Sequence, residues 1–462
     1  SAVDMWFADE ANATANYGHI KDWNVTGVTD MSNAFKNRTT FNENISGWDV
    51  SNVGTMKDMF LGSTAFNQPI GDWNVSAVTT MQNMFYNAPL FNQPIGNWNI
   101  SEVLSMQGMF YKAASFNQPI GDWNTSKVTS LQSMFWGADA FDRPIGNWDT
   151  SKVLSMQSMF QGADAFNQHI GDWNTSGVTT MYRMFNFATA FNRPIGNWNV
   201  KNVSTMAEMF YGATAFDQDV RNWNVSSVTT VKSMFQGATA FNQPIGDWNV
   251  SAVTTMQNMF YNAPLFNQPI GNWNISEVLS MQGMFYKAAS FNQPIGDWNT
   301  SKVTSLQSMF WGADAFDRPI GNWDTSKVLS MQSMFQGADA FNQHIGDWNT
   351  SGVTTMYRMF NFATAFNQPI GNWNVKNVSN MAEMFDDTPA LSNANKGLIH
   401  SSFSSNPNWP YSSWSAHVPA PASLTNANFQ TAINLWFSDE ANANATYGHI
   451  RDWNVSAVTD MS

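Results

Sequence analysis

The sequence predicts an α/β solenoid, a leucine-rich-repeat-like stack of 25-residue strand-turn-helix coils closed by a capping helix. Three observations predict it. Tryptophan recurs every 25 residues, fifteen times, from Trp23 and Trp48 through Trp73 and onward to Trp373. Each interval carries one alternating and one helical-period apolar pattern. The composition, 43% hydrophobic and 12% charged, supports a large core with a neutral polar surface. A fixed period of 20 to 50 residues is the mark of units that bury their apolar faces only by stacking on neighbours.

One unit, Phe66 to Leu90, reads FNQPIGDWNVSAVTTMQNMFYNAPL. Trp73 and Val75 alternate with Asp72, Asn74 and Ser76, as in a strand with one inward face. Met81, Met84, Phe85 and Ala88 then fall at i, i+3, i+4 and i+7, the stripe of a short return helix that Thr79 or Thr80 would cap. A 3₁₀ segment in the helix's place would also fit. Asn67, Pro69 and Gly71 supply the turn back to the next strand. The Trp column and the Met/Phe stripe are expected inside, and the Asn67 column is expected to satisfy backbone groups.

Two longer repeats lie over the first. Phe66 to Phe210 matches Phe241 to Phe385 except at Arg193/Gln368 and Thr205/Asn380, an offset of seven coils. The opening, SAVDMWFADEANATANYGHIKDWNV, returns near the end as TAINLWFSDEANANATYGHIRDWNV, 430 residues later. The chain therefore divides into an N-terminal capping helix (1–16), a solenoid of fifteen coils (17–390), a closing segment and intermodule linker (391–430), and the cap and first coil of a further tandem module (431–462). A longer parent chain of such modules is expected. Within the linker, residues 391–403 suit a closing helix, with Trp409 and Tyr411 placed to pack on the last coil. The stretch VPAPAS should be extended and stiff.

The coil signature, MF..A..FN..I..W.(V/T)S.V..M, resembles the 25-residue mycoplasma-type repeat of the BspA-like leucine-rich-repeat surface proteins. The likeness runs from Tyr17 to about Ala390 and restarts at Tyr447. It implies an extracellular or cell-surface protein of adhesive or unassigned role, and it brings no catalytic residues with it.

The remaining chemistry is sparse. A net charge of −13, with no basic stripe, argues against nucleic acid as a partner. No apolar run in this segment is long enough to span a membrane. Absence of cysteine removes disulfides and thiolate sites. The six histidines lack partners at motif spacing, so no enzyme and no cofactor is expected. Asp139, Asp142 and Asp164 read as solvated edge carboxylates. Asp72, Asp122, Asp172, Asp247, Asp297 and Asp347 are candidate calcium ligands, although Asn interleaved in their column relieves repulsion without any ligand. The Asn74 column forms N-x-[ST] sequons, but crowding favours a hydrogen-bonded Asn ladder there. Asn12, Asn37 and Asn444 are better glycosylation candidates. Trp136 and Trp311 are extra aromatics, exposed or packed. Trp409, Tyr411, Trp414, Trp436 and Phe437 are the expected intermodule contacts.

These features favour an extracellular structural repeat protein whose modules join neighbouring copies end to end into a filament or cell-surface appendage. The alternative is a surface adhesin holding a glycan or protein on its polar strand face.

Overall fold

The computed structural model describes residues 1–418, 423–447, 450 and 453–460. It divides into two compact units, Ser1–Gln293 and Pro294–Ser462. Each unit contains a stack of 25-residue coils, and among the described residues the α-helices lie outside the coils. These are α1 (Ala2–Ala8), α2 (Glu10–Tyr17), α3 (Asn393–Phe403), α4 (Phe429–Ser438) and α5 (Glu440–Tyr447). The expected single capping helix is thus two, broken at Asp9. That residue takes an extended conformation, ends α1 and caps α2 by accepting from the Asn12 amide at 2.9 Å.

The expected strand and return helix both require correction. Among the described residues of the first unit, neighbouring coils pair through single-residue parallel bridges, such as Thr55 with Thr80 and Thr80 with Ser105. The bridge lies at the Thr80 column because the chain turns on either side of it. Leu104 N donates to Thr79 O at 2.9 Å and Met81 N donates to Ser105 O at 3.2 Å. Trp73 to Val75 shows the expected alternation, with Trp73 and Val75 buried and Asp72 and Asn74 exposed, but carries no bridge.

Met81 to Ala88 is a run of turns. Asn83 and Asn87 have φ of 53° and 54°, left-handed values that a right-handed helix excludes. The amides of Met84, Tyr86 and Ala88 close turns onto the carbonyls three residues back, each at 3.1 Å. The intervening amides of Asn83, Phe85 and Asn87 point along the stack to Gln107, Met109 and Tyr111 of the next coil, at 2.8, 2.9 and 2.6 Å. Half of the segment's donors are satisfied locally and half by the neighbour, which an α-helix could not arrange. Left-handed backbone costs about 1–2 kcal/mol at a residue with a Cβ. Gly62, Gly108 and Gly137 avoid that cost at equivalent positions, whereas Arg183 and Phe187 are held there by the inter-coil bonds.

The apolar stripe is inside regardless: Met81, Met84, Phe85 and Ala88 are fully buried. Phenylalanines stack along the coils, Phe60 on Phe66 at 3.9 Å and on Phe85 at 5.7 Å. The tryptophans form a parallel file, Trp148 and Trp173 at 6.4 Å and 2°. Trp indoles within the stack also donate to a carbonyl of the preceding coil, Trp173 Nε1 to Ile145 O at 3.1 Å, so the polar edge of a buried ring is satisfied. Where threonine replaces valine in the next inward column, its hydroxyl bonds the opposite way along the stack, to the following coil: buried Thr125 donates to Asp149 O at 3.0 Å.

The asparagine ladder expected at the Asn74 column is found instead at the Asn67 column, whose expected role is only to satisfy backbone groups. Asn92 Oδ1 accepts from Asn117 N at 3.0 Å and from Gln118 Nε2 at 2.8 Å, one coil on. Asn74 Oδ1 instead accepts from Ser76 N at 3.2 Å within its own coil, a local Asx turn. Asp142 can stand in the ladder because its carboxylate accepts the same pair, Asn167 N at 2.9 Å and Gln168 Nε2 at 2.8 Å. Asn92→Asp is therefore expected to leave urea-denaturation stability nearly unchanged. Asn92→Leu should cost about 1–3 kcal/mol by leaving two donors without an acceptor.

Candidate functional site

The outward columns bring little chemistry together. Asp72, Asp122, Asp172, Asp247, Asp297 and Asp347 are all exposed. Among the described residues no group of three or more His, Asp or Glu side chains gathers to hold a metal ion. The histidines do have partners that spacing did not suggest. His169 Nε2 lies 2.9 Å from Asp172 Oδ2, and His344 Nε2 lies 3.1 Å from Asp347 Oδ2, across the tight turn before Trp173 and Trp348. Both pairs are more than half exposed. Trp136 is half-buried and meets Tyr111 edge-on at 4.8 Å, a packing contact between coils. Asn12 and Asn37 are exposed, while the Asn444 side chain lies outside the described residues.

Carboxylates one coil apart do interact. Asp139 is held above the ordinary carboxylate range, first by partial burial and then by the like charge of Asp164, and Asp314 is raised in the same way beside Asp339. Because the folded value lies above the unfolded one, the penalty is present at neutral pH and disappears as pH falls through the carboxylate range. Asp164→Thr should thus stabilise at pH 7, by less than about 1 kcal/mol for so exposed a pair. The gain should vanish in acid, as read by thermal denaturation across pH.

The specialised chemistry sits at the lids. At the N-terminal end the Ser1 hydroxyl accepts from Asp4 N at 3.2 Å and caps α1. Buried Trp6 meets His19 at 4.9 Å and Trp23 at 6.1 Å, the latter edge-on at 90°. Phe7 covers Phe41 at 5.8 Å, and Arg38 lies over the Phe7 ring at 4.4 Å while reaching Asp4 at 2.8 Å. The lid is thus pinned to the coils by an aromatic contact at Phe41 and a charge pair at Arg38.

At the other end, α3 extends the asparagine ladder. Ser392 N donates to Asn367 Oδ1 at 2.9 Å, Asn395 Nδ2 donates to the same atom at 2.8 Å, and Ser392 also caps the helix. Buried Asn406, which the sequence did not single out, donates to the carbonyls of Val375 at 2.6 Å and Val378 at 2.9 Å. Trp409, Tyr411 and Trp414 gather on Phe385 at 6.3, 5.9 and 5.3 Å. The Tyr411 hydroxyl accepts from Phe385 N at 2.8 Å and donates to Asp386 Oδ1 at 2.7 Å. Burial, and then the hydrogen bond to Asp386, push its proton affinity far above that of a free tyrosine.

The five aromatics expected between modules therefore fall into two groups. Trp409, Tyr411 and Trp414 plug the stack that precedes them, because its last coil otherwise exposes Phe385. Trp436 belongs to the second lid, meeting Trp453 at 6.0 Å and 85°, and Phe437 is 82% exposed. The second lid repeats the first. Tyr447 meets Trp453 at 6.1 Å and 68°, against 6.0 Å and 65° for Tyr17 and Trp23. His449 and most of VPAPAS lie outside the described residues.

A family model described as "Mycoplasma protein of unknown function, DUF285" matches six overlapping spans of the chain: residues 3–121, 106–222, 140–246, 191–298, 230–335 and 279–399. A search of curated proteins finds no match. Among solved structures, a TLR13–ssRNA13 complex is similar at 12% identity with a TM-score of 0.24, over 74% of this chain and 49% of that one. The plant peptide hormone receptor RGFR1 with RGF2 is similar at 8% identity with a TM-score of 0.16, over 71% of this chain and 68% of that one. This chain thus spans about half the length of the TLR13 chain. Among the described residues no helix is long and apolar enough to cross a membrane.

Proposed function

This chain belongs to the family described as Mycoplasma protein of unknown function, DUF285, and from that premise we propose an extracellular structural repeat protein of tandem modules. The modules join end to end into a filament or cell-surface appendage; the extracellular location is what the resemblance to BspA-like leucine-rich-repeat proteins implies. One observation carries the reading: the lid at residues 1–23 is built a second time, with matching ring geometry, by the described residues among 429–460. A lid is needed only where a stack begins, so a second lid marks a second stack. Between the two lies a finished plug, with its own buried polar contacts from Asn406. The role is non-enzymatic: its repeated coils are interchangeable, and the carboxylates of the Asp72 column are exposed and separated by asparagines.

The second reading is an adhesin. It rests on the outward residues Asp72, Asn74 and their equivalents, which present the same polar pattern at each coil and would bind glycans or proteins with multivalent gain. Electron microscopy of native material separates the two. Filaments with a module-length axial repeat are the expected outcome. Dispersed particles with glycan-dependent binding would overturn the structural reading in favour of the adhesin.

A further inference from the structure

The two lids differ in one respect. Against the first lies an open groove of about 830 Å³, lined by Ala2, Tyr17, Trp23, Val25 and Val28 among others. Tyr17 is 52% exposed, and Val28 is half-buried although its counterparts in the following coils, such as Val53 and Val78, are fully buried. The first coil has no earlier coil to cover this face, and α1 and α2 cover only part of it.

In the second lid the corresponding surface is filled. The residues 430 positions on, Ala432, Tyr447, Trp453, Val455 and Val458, pack with two side chains from the linker, Leu424 and Phe429. Leu424 is 2% exposed, Ala432 is fully buried, and Val458 falls to 8%. All five partners in this cluster have their counterparts in the wall of the open groove.

A polar contact accompanies the apolar one. Asn426 Oδ1 accepts from the amides of Thr459 at 2.6 Å and Asp460 at 3.1 Å, while its Nδ2 donates to Thr459 Oγ1 at 2.7 Å. Asn426 therefore stands where an earlier coil would place a carbonyl: inside the stack, Thr79 N donates to Gly54 O at 2.9 Å. In the first lid the equivalent donor, Thr29 N, has no acceptor among the described residues. The linker is also shaped for the task. Asn428 accepts from Thr425 N at 2.8 Å and donates to Ser423 O at 3.1 Å, folding the segment back between its two apolar anchors.

We propose that the groove on the first lid is a docking site for a peptide segment carrying Leu, Asn and Phe at the spacing of Leu424, Asn426 and Phe429, supplied by the linker of another copy of the module. The Leu and Phe side chains fill the space between Trp23 and Val28, and the Asn caps the open edge at Thr29. Only the identity of the supplier rests on the tandem reading; the groove's chemistry does not.

The test adds a synthetic peptide of residues 423–429 to the full chain and follows amide exchange at Thr29, with a second protein carrying the same residues joined through Gln430 to Ser1. Slowed exchange at Thr29 in the joined protein, and saturable one-to-one binding of the free peptide, are expected. Leu424→Asp or Asn426→Ala in the segment should weaken binding by about tenfold or more. Tyr17→Ser should weaken it too, and because Tyr17 is largely exposed that variant keeps its fold. Thr29 exchange unchanged in the joined protein, or a Leu424→Asp segment protecting equally well, would overturn the proposal. Protection of Thr29 without any end-to-end association of modules would leave the docking site standing and count against the filament alone.

Discussion

A coil of this protein is a half-satisfied object, and the rest of the structure follows from how its neighbour completes it. The amides of Asn83, Phe85 and Asn87 reach no acceptor in their own coil; they find one 24 residues on, in the next coil. The Asn92 carboxamide and the Trp173 indole make the same demand from two other sides of the cross-section. Unpaired buried polar groups are expensive, so register is fixed at several points at once and a coil cannot slip. Stacked phenylalanine and tryptophan rings then add apolar burial along the same direction.

This arrangement explains both the uniformity of the coils and the specialisation of their ends. Inside a stack, any coil that offers the same carbonyls and rings suits its neighbours, which is why the block Phe66 to Phe210 occurs again seven coils later with two differences. An end coil has a face that nothing in the repeat completes. The chain answers with unrelated devices for the two faces: a pair of helices carrying Trp6 and Phe7 at the start, and a helix, Asn406 and an aromatic plug at the finish. Chemistry that distinguishes one place from another is confined to those lids.

Much of this was legible in the sequence. The Trp period, the buried Met81 and Phe85 columns, the closing helix and the packing of Trp409 and Tyr411 all follow from residue type and spacing. The return helix was misread because burial at i, i+3, i+4 and i+7 is common to a helix and to this run of turns. The discriminating signal was the occupancy of two positions four apart: Asn83 with Asn87, Asp58 with Gly62, Ser133 with Gly137, residues that favour turns and left-handed backbone. Arg183 and Phe187 obscure it. Asparagine alone could not tell the Asn67 ladder from the Asn74 turn, since the difference lies in whether the acceptor faces a neighbouring coil. Leu424 and Phe429 gave no sign, being isolated apolar residues in a Ser- and Asn-rich linker whose partners lie far along the chain.

The most direct measurement is the helical fraction of the intact chain by amide I infrared spectroscopy. If coils are joined by alternating left-handed turns, helix is confined to the lids and plug, and the fraction should be near 11%. A fraction of about a third, ordinary for a globular domain, would mean that each coil does return through a helix. Inter-coil bonding at the Asn83, Phe85 and Asn87 amides would then be contradicted.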